Sequence, residues 1–269
     1  MKVANKVIVV TGGGSGIGRA LVLNLVKAGA RVAAVDLNEK ALKETIELAA
    51  PHQSKISTHI MNVTDQQAAA ALPDAVISAH GAVDGLINNA GIIQPFVRLK
   101  DLEFDAIERV LKVNLYGVIY MTKAFLPHLL KRPVGHIVNV SSMGGFFPVP
   151  GQTLYGASKA AVKLLTEGLY SELIDTNIKV TVVFPGAIAT NITQNSGVNM
   201  SLSNESASAS PIPMTLPDKA AEIIINGMER DRFQVYVGND SKLMNFFYRV
   251  NPRWATRFMY NQMKSLLPN

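Results

Sequence analysis

A serine, a tyrosine and a lysine have the spacing of a proton-transfer site. Tyr155 and Lys159 lie four residues apart, and Ser142 precedes the tyrosine by thirteen residues. Positions four apart share one face of a helix, so we expect the phenol and the ammonium to point the same way. A free phenol has a pKa of about 10, and a nearby ammonium lowers that pKa towards the range useful for acid–base catalysis. Alone, such a pair is equally typical of a helix surface.

A glycine-rich turn is typical of a dinucleotide site. Gly12, Gly16 and Gly18 follow a β-branched run and open a helix. Glycine permits close approach of a pyrophosphate, and the helix N-terminus offers free N–H groups and partial positive charge to that anion. Ser15 and Ile17, in the same turn, are also predicted to contact the cofactor. A glycine cluster alone is compatible with a tight turn that binds nothing.

An acidic residue ends the second predicted strand. Asp36 lies eighteen residues after Gly18, where a carboxylate can accept hydrogen bonds from an adenosine ribose. That carboxylate would repel a 2′-phosphate, and neither Ser15 nor Leu37 offers a compensating cation. We therefore predict that Asp36 and Leu37 border the ribose and that NAD is preferred over NADP. The alternative is an aspartate that caps the next helix.

Apolar runs alternate with helical patterns along the whole chain. Strands are predicted at 7–10, 31–35, 56–61, 83–87, 136–140, 179–184 and 233–237. Helices are predicted at 16–28, 41–49, 66–79, 153–175 and 220–228, with two more within 104–131. Short, fully apolar strands that alternate with helices indicate a parallel sheet covered on both faces. The prediction is an α/β chain with one Rossmann-type, doubly wound domain over residues 1–269, of about seven parallel strands.

Taken together, these motifs resemble the short-chain dehydrogenase/reductase family. The matching motifs are Thr11-Gly12-x-x-x-Gly16-x-Gly18, Asn88-Asn89-Ala90-Gly91, Asn114, Ser142, Tyr155-x-x-x-Lys159 and Pro185-Gly186-x-Ile188-x-Thr190. They cover about residues 5–190, and the combination is highly specific.

The resemblance implies hydride transfer between a nicotinamide dinucleotide and an alcohol–carbonyl pair, without a metal. Tyr155 would move the proton, and Ser142 would orient the substrate oxygen. Lys159 would depress the pKa of the tyrosine and bind the nicotinamide ribose. Asn114 would hold a water that links Lys159 to solvent.

The resemblance also implies a set of cofactor contacts. Asn89, Ala90 and Gly91 would border the adenosine ribose, and Val113 would lie close by. The motif from Pro185 to Thr190, with Gly186 and Ile188, would line the nicotinamide carboxamide pocket. Many relatives have Asp-Val where this chain has Asn62-Val63, and Asn62 can still hydrogen-bond adenine.

Apolar residues flank the expected catalytic positions. They are Ile92, Ile93, Pro95, Phe96 and the run 146–150. They suggest a pocket for a lipophilic secondary alcohol or ketone, such as a steroid, retinoid or acyl-chain compound, although the same side chains also suit a protein core. The stretch 191–216, rich in Ser, Asn and Pro, is interpreted as a substrate lid, with a surface insertion as the alternative.

The C-terminal extension 241–269 is basic and aromatic. It carries five cations and no acid, while the rest of the chain is nearly neutral within a net charge of +6. Such a segment suits peripheral contact with a membrane, a subunit interface, or a cover over the substrate entrance. No basic stripe runs through the body of the chain, which argues against nucleic acid.

The remaining composition narrows the class of protein. There is no cysteine, which excludes thiol catalysis and fits a reducing compartment. No signal-like or membrane-spanning apolar segment is visible. We therefore expect a cytoplasmic protein whose tail can associate with a membrane surface. The resemblance implies a homodimer or homotetramer. Two other functions stay open: a non-catalytic dinucleotide sensor, and an epimerase or dehydratase on the same fold.

Overall fold

The protein is described by a computed structural model covering residues 1–198, 214–264 and 267. The strands are β1 Val7–Thr11, β2 Arg31–Asp36, β3 Ile56–Ile60, β4 Gly85–Asn88, β5 Gly135–Val140, β6 Ile178–Pro185 and β7 Gln234–Val237. They form one parallel sheet in the order β3-β2-β1-β4-β5-β6-β7. This confirms the predicted doubly wound architecture.

Helices cover both faces of the sheet. Those in the described residues are α1 Gly16–Lys27, α2 Glu39–Leu48, α3 Gln66–His80, α4 Phe104–Leu111, α5 Gly117–Leu129, α6 Thr153–Glu172, α7 Ile192–Asn195, α8 Pro217–Glu229, α9 Asn239–Val250 and α10 Pro252–Met263. Side chains in a strand alternate between faces, and β1 shows the result. Ile8 and Val10 pack into the core beneath α1 and α8, whereas Val7 and Val9 pack into the core beneath α3 and α5.

The strand order places the predicted motifs at one edge. The chain winds outwards from β1 to β3, then returns to β4 on the other side of β1. Ligands bind in doubly wound sheets at this switch point, outside the carboxyl ends of the strands. The glycine turn follows β1, the Asn88–Gly91 motif spans the end of β4, Ser142 follows β5, and Thr190 follows β6. All four therefore face the same crevice.

The two helices predicted within 104–131 are present as α4 and α5, but no loop separates them. Lys112–Tyr116 forms a π-helical turn that joins α4 directly to α5. Such wide turns are rare and frequently occur at functional sites. Asn114 lies at the centre of this one.

The structure describes only the ends of the predicted lid but nearly all of the tail. Most of the predicted lid, residues 199–213, lies outside the described residues. Its two ends meet, because Ile188 forms a parallel bridge with Thr215. The tail folds as α9 and α10, separated at Asn251, whose side chain caps α10 through the N–H of Trp254.

One face of the tail packs on its own chain. Met244, Ala255 and Met259 form a buried cluster with Phe147, which lies between Ser142 and Tyr155. The tail therefore covers part of the loop after β5. No helix in the described part of the chain is long and apolar enough to cross a membrane.

Candidate active site

The glycine turn after β1 has the shape of an anion cradle. Gly12 and Gly16 adopt positive φ angles of 70° and 51°, a region that favours glycine. A Cβ on Gly18 would overlap the carbonyl oxygen of Gly12, so the helix can approach the strand only with glycine there. Ser15 is the N-cap of α1, yet its side chain makes no capping hydrogen bond. Ile17 packs its side chain against the core below.

Asp36 is turned back towards the glycine turn. Its Oδ2 accepts the N–H of Gly14 at 2.9 Å, and its Oδ1 accepts the N–H of Asn38 at 2.9 Å. Asn38, not Asp36, caps α2, because its side chain accepts the N–H of Ala41. Leu37 is exposed beside it. Asp36 is thus free of a capping role and lies next to the proposed phosphate site.

Arg19 is the cation that lies nearest to the glycine turn in sequence, and it is already engaged. Its Nε donates to Gly14 O at 2.9 Å, and its Nη2 donates to Ala41 O and pairs with Glu44 at 2.8 Å. These contacts tie α2 to the turn.

The predicted adenine side of the site lies on the other flank. Asn62 Oδ1 accepts both the N–H and the hydroxyl of Thr64, which leaves its Nδ2 as the group available to a ligand. Val63, Ala90 and Val113 line a narrow cleft together. These three residues were predicted to contact the cofactor from separate motifs, and the fold brings them to one place.

Thr11 joins the β4 loop to β1. Its Oγ1 accepts the N–H groups of Asn89 and Ala90 at 3.0 Å each, and its carbonyl accepts Asn89 Nδ2 at 2.9 Å. A Cβ on Gly12 would come within 2.9 Å of the same amide nitrogen. Asn89 therefore holds two cofactor-binding loops together.

Asn114 fixes the next part of the β4 loop. Its Oδ1 accepts the N–H of Ile92 and its Nδ2 donates to Ile92 O, each at 2.9 Å. The same Nδ2 contacts the Ser158 hydroxyl at 3.0 Å, next to Lys159. The side chain is fully buried and acts here as a bridge between the β4 loop, the π-helical turn and α6.

The Lys159 side chain is buried, and its ammonium contacts the backbone near Val140 and Gly91. Its Nζ donates to Val140 O at 3.0 Å and lies 3.1 Å from where a Cβ on Gly91 would stand. Glycine at 91 thus admits the ammonium. Burial lowers the pKa of Lys159 to about 8, which leaves it charged at neutral pH.

Ser142 and Tyr155 lie together, as predicted. The Ser142 hydroxyl oxygen accepts the N–H of Gly144 at 3.0 Å, and the hydroxyl lies close enough to the phenol of Tyr155 to influence its pKa. The tyrosine ring passes beside Gly144, where a Cβ would lie 3.3 Å from Cε1. A substrate oxygen placed here would meet two hydroxyl groups at once.

The pKa of Tyr155 departs from the sequence expectation. Burial raises the pKa of the phenol, and the hydrogen bond from Ser142 offsets only part of that rise. The lysine was expected to lower it. Desolvation penalises the charged phenolate and outweighs the stabilising contacts, so the protein holds a neutral, proton-donating phenol at neutral pH.

The turn after β6 completes the crevice. Gly186 N–H donates to Val237 O, and Ala187 N–H donates to the buried carboxylate of Asp240 at 2.6 Å. The same carboxylate occupies the space that a side chain on Gly186 would need. Pro185 ends β6, and Ile188 is held by its bridge to Thr215.

Thr190 brings the turn after β6 next to the glycine turn, which is the predicted phosphate site. Its methyl group lies 3.1 Å from where a Cβ on Gly16 would stand. A few residues on, Asn195 Nδ2 donates to Ser15 Oγ at 2.9 Å. The segment after β6 therefore already touches the glycine turn.

Sequence reasoning missed several residues that hold the site. Asp240 and Asn195 reach it from distant parts of the chain, and no local pattern marks them. Gln94 was passed over inside the apolar stretch 92–96, although a single amide among apolar residues was a visible signal. Thr11 was noted as part of a motif, without its bonds to Asn89 and Ala90.

Comparison with known proteins agrees with this geometry. A family model described as short chain dehydrogenase matches residues 6–200. The chain belongs to the short-chain dehydrogenase/reductase family. It is an NAD(P)-dependent oxidoreductase of that family.

Two relatives match nearly end to end. SadH of Mycobacterium tuberculosis, whose name places it among oxidoreductases, is 37% identical over 250 residues, covering 91% of this chain and 90% of SadH. The 3-oxoacyl-[acyl-carrier-protein] reductase FabG of Thermotoga maritima is 36% identical over 235 residues, covering 87% and 86%.

Solved structures share the fold and carry either dinucleotide. A short chain dehydrogenase/reductase of Burkholderia phymatum in complex with NAD has a TM-score of 0.80 and 26% identity, over 88% of this chain and 90% of that one. A short chain dehydrogenase of Burkholderia cenocepacia in complex with NADP has a TM-score of 0.80 and 25% identity, over 96% and 99%. A nicotinamide dinucleotide is therefore the cofactor class, and both forms occur among the neighbours.

Proposed function

We propose that the enzyme transfers hydride between NAD(H) and a lipophilic secondary alcohol or ketone, with Tyr155 as general acid and base. The observation that carries this proposal is the placement of Ser142 and Tyr155 side by side at Gly144, with Lys159 one helical turn after the tyrosine on the same helix. A protein that only bound the dinucleotide would not need two hydroxyl groups at this position. That argument disfavours the non-catalytic sensor.

Ser142, Tyr155 and Lys159 have separate roles in the proposed reaction. A bound nicotinamide supplies or accepts the hydride at the carbinol carbon. Ser142 Oγ accepts the N–H of Gly144, and we propose that its hydroxyl proton turns from the phenol to a bound substrate oxygen. In reduction, Tyr155 donates its proton to that oxygen; in oxidation, it takes the proton back. The Lys159 ammonium stabilises the phenolate that forms in between.

The proposed preference for NAD rests on Asp36 and Arg19. The carboxylate lies at the glycine turn, and the neighbouring guanidinium is paired with Glu44. Like charges placed together cost several kcal/mol, so a 2′-phosphate beside Asp36 is disfavoured. Calorimetry with NAD and NADP tests this, and Asp36→Ala should improve NADP binding by at least about tenfold, or 1.4 kcal/mol.

The matched control is Glu39→Ala, which removes an exposed acid of α2 that pairs with Lys43. It should leave the ratio of the two affinities unchanged. Equal or tighter binding of NADP by the unmodified protein would overturn the preference.

The proposed substrate class rests on the apolar surroundings of the catalytic loop. Ile92, Pro95 and Phe96 are partly exposed, whereas Phe147 is fully buried beneath α9 and α10 and belongs to the core. One relative is named for a 3-oxoacyl substrate, which is an acyl-chain ketone. A panel of lipophilic alcohols and ketones, followed by NADH absorbance, tests the proposal. Turnover of a sugar nucleotide without net NADH change would instead favour the epimerase or dehydratase.

The outer face of the tail supports peripheral contact with an anionic membrane. Leu243, Phe246 and Val250 form an exposed apolar stripe on α9, with exposures of 49%, 61% and 68%. The tail that carries this stripe also contains five cations, Lys242, Arg249, Arg253, Arg257 and Lys264. Each cation near an anionic lipid surface contributes about 1 kcal/mol. A second copy of the same basic face would be repelled, so we propose a cytoplasmic enzyme that touches membranes through this stripe.

Vesicle flotation tests this contact. The protein should float with vesicles rich in phosphatidylserine at low salt, and much less with phosphatidylcholine alone. Replacing Leu243, Phe246 and Val250 by Asn should abolish flotation, whereas Leu48→Asn, at an exposed apolar site on α2, should not. Flotation that ignores both lipid charge and the triple variant would overturn the proposal.

Assembly as a homodimer or homotetramer is proposed on other surfaces. Phe104, Tyr116 and Leu164 are large, exposed and apolar on neighbouring helical segments, as expected of a surface that is buried by a partner. Light scattering after size-exclusion chromatography measures the mass. A monomer at micromolar concentration would contradict the proposal.

A further inference from the structure

Gln94 is a buried amide that sequence analysis did not assign to any role. It lies in the loop after β4, and its side chain has no exposed surface. Its Oε1 accepts the backbone N–H of Leu154 at 2.8 Å and that of Tyr155 at 3.0 Å. Its Nε2 donates to Gly151 O at 3.0 Å. Both polar atoms of the Gln94 side-chain amide therefore have hydrogen-bond partners.

The two bonds to Oε1 cap the N-terminus of α6. The first N–H groups of a helix have no partner within the helix and usually receive one from the N-cap side chain. The N-cap of α6 is Gln152, and its side chain makes no such bond. The role passes instead to a residue about sixty positions earlier in the chain. Helix α6 carries both Tyr155 and Lys159, so its starting point is set by the β4 loop.

The same loop contacts the other catalytic residues. Gly91 admits the Lys159 ammonium, and Ile92 is bonded on both sides to Asn114. Asn89, at the start of the loop, is bonded to Thr11 beside the glycine turn. Among the residues that the structure describes, Gln94 provides the one direct bond between this loop and the backbone of Tyr155.

We propose that Gln94 is a positioning residue that fixes the phenol of Tyr155 relative to the cofactor loops. This inference rests on the proposed role of Tyr155 as acid and base. Because Oε1 bonds the N–H of the tyrosine itself, a shift of the amide moves the residue that bears the hydroxyl. A displacement of about 1 Å in a catalytic group can reduce turnover about a hundredfold.

The chain offers a matched control next to it. Gln152 is also buried, has the same side chain, and donates through Nε2 to the carbonyl of Gln94 at 2.9 Å. Its side chain makes no bond to the first turn of α6. Gln152→Met and Gln94→Met thus remove an amide from the same place, and only Gln94→Met removes the acceptor for Leu154 and Tyr155.

A third variant separates acceptor function from general stability. In Gln94→Glu, the carboxylate retains the acceptor for both N–H groups, and a negative charge is favourable at a helix N-terminus. Its second oxygen takes the place of the donor to Gly151 O, and it can donate there only when the carboxyl is protonated. If the amide acts by accepting these two bonds, the glutamate should restore turnover that the methionine loses.

The first measurement needs no substrate. Hydrogen–deuterium exchange on the first turn of α6 should show lost protection at Leu154 and Tyr155 in Gln94→Met, and retained protection in Gln94→Glu and Gln152→Met. The second is turnover with the lipophilic ketone found in the panel, well below the melting temperature, alongside the Kd for NADH. Gln94→Met should lose at least about tenfold in kcat with NADH affinity within about twofold, as expected when only geometry at the reacting group changes.

The outcomes separate the two proposals. Unchanged exchange and kcat in Gln94→Met would overturn the positioning role, as would equal losses of kcat and NADH affinity or a glutamate variant as slow as the methionine variant. If Gln94→Met does not fold, Gln94→Glu decides: kcat within about threefold of the unmodified protein supports the role, and a larger loss overturns it. An unmodified protein with no turnover on the panel would refute the proposed function, while the exchange experiment would still test the bond to α6.

Discussion

Replacing Lys159 by methionine should stabilise the protein while it abolishes turnover. Burial holds the pKa of the ammonium at about 8, compared with its ordinary value of 10.5. Keeping that charge in the folded protein at pH 7 therefore costs about 3 kcal/mol. Methionine has a similar shape and no charge, so it removes this cost. It also loses the hydrogen bond to Val140 O, worth about 1 kcal/mol, which leaves a net gain of about 2 kcal/mol.

The stability gain of Lys159→Met should depend on pH. The folded-state pKa is depressed, so below pH 8 both folded and unfolded states are protonated and the full cost is present. Between pH 8 and 10.5 the folded protein loses its proton first, and the cost disappears. The advantage of Lys159→Met should thus fall from about 2 kcal/mol at pH 7 to about zero at pH 10.

Urea unfolding at fixed protein concentration, at pH 7 and pH 10, measures the difference. Lys163→Met is the matched control on the same helix, because Lys163 is partly exposed and paired with Glu167 at 2.8 Å. An exposed pair of this kind contributes less than about 1 kcal/mol, and we expect no gain in that variant. If Lys159→Met were less stable than the unmodified protein at pH 7, or showed the same difference at both pH values, the reasoning from burial would be wrong.

Three further outcomes follow from the site. Tyr155→Phe should keep the Kd for NADH while kcat falls by about a hundredfold to ten-thousandfold, the usual contribution of a general acid; near-normal turnover would refute the assignment. Gly18→Ala should abolish NADH binding measured by fluorescence, because the new methyl group meets the carbonyl of Gly12, and unchanged affinity would contradict the close packing. Because burial raises the pKa of Tyr155, ketone reduction should stay level across neutral pH and decline only in strongly alkaline buffer, whereas alcohol oxidation should rise with pH. A reductive rate that drops between pH 6 and pH 8 would show that the phenol is more acidic than the structure indicates.

Local patterns predicted most of the architecture. The strand from Val7 and the helix from Gly16 follow from a β-branched run, glycines at the turn and apolar periodicity, all within a few residues. The order of strands then follows from the rules of doubly wound sheets. The π-helical turn around Asn114 did not follow, because a helix of either type has the same apolar pattern over so few residues.

The parts of the site that were missed depend on distant contacts or on solvent. Gln94 contacts α6 about sixty residues later in the chain, and Asp240 supports the turn at Ala187 from the first turn of α9. The direction of the Tyr155 pKa depends on how much water the fold excludes, which spacing does not reveal. The sequence predicted that Lys159 lowers the pKa of Tyr155, but burial is the largest effect on that pKa in the folded protein, and it raises it.

The placement of Asp240 has a consequence for how the helix pair α9 and α10 can diverge among relatives. The carboxylate lies in the first turn of α9 and accepts the N–H of Ala187, inside the motif that runs from Pro185 to Thr190. Exchange of both helices for those of another family member would therefore disturb the predicted nicotinamide side of the crevice unless the acid at the start of α9 were kept. Natural variation should be wide at the outward residues of α9 and narrow at this single acid.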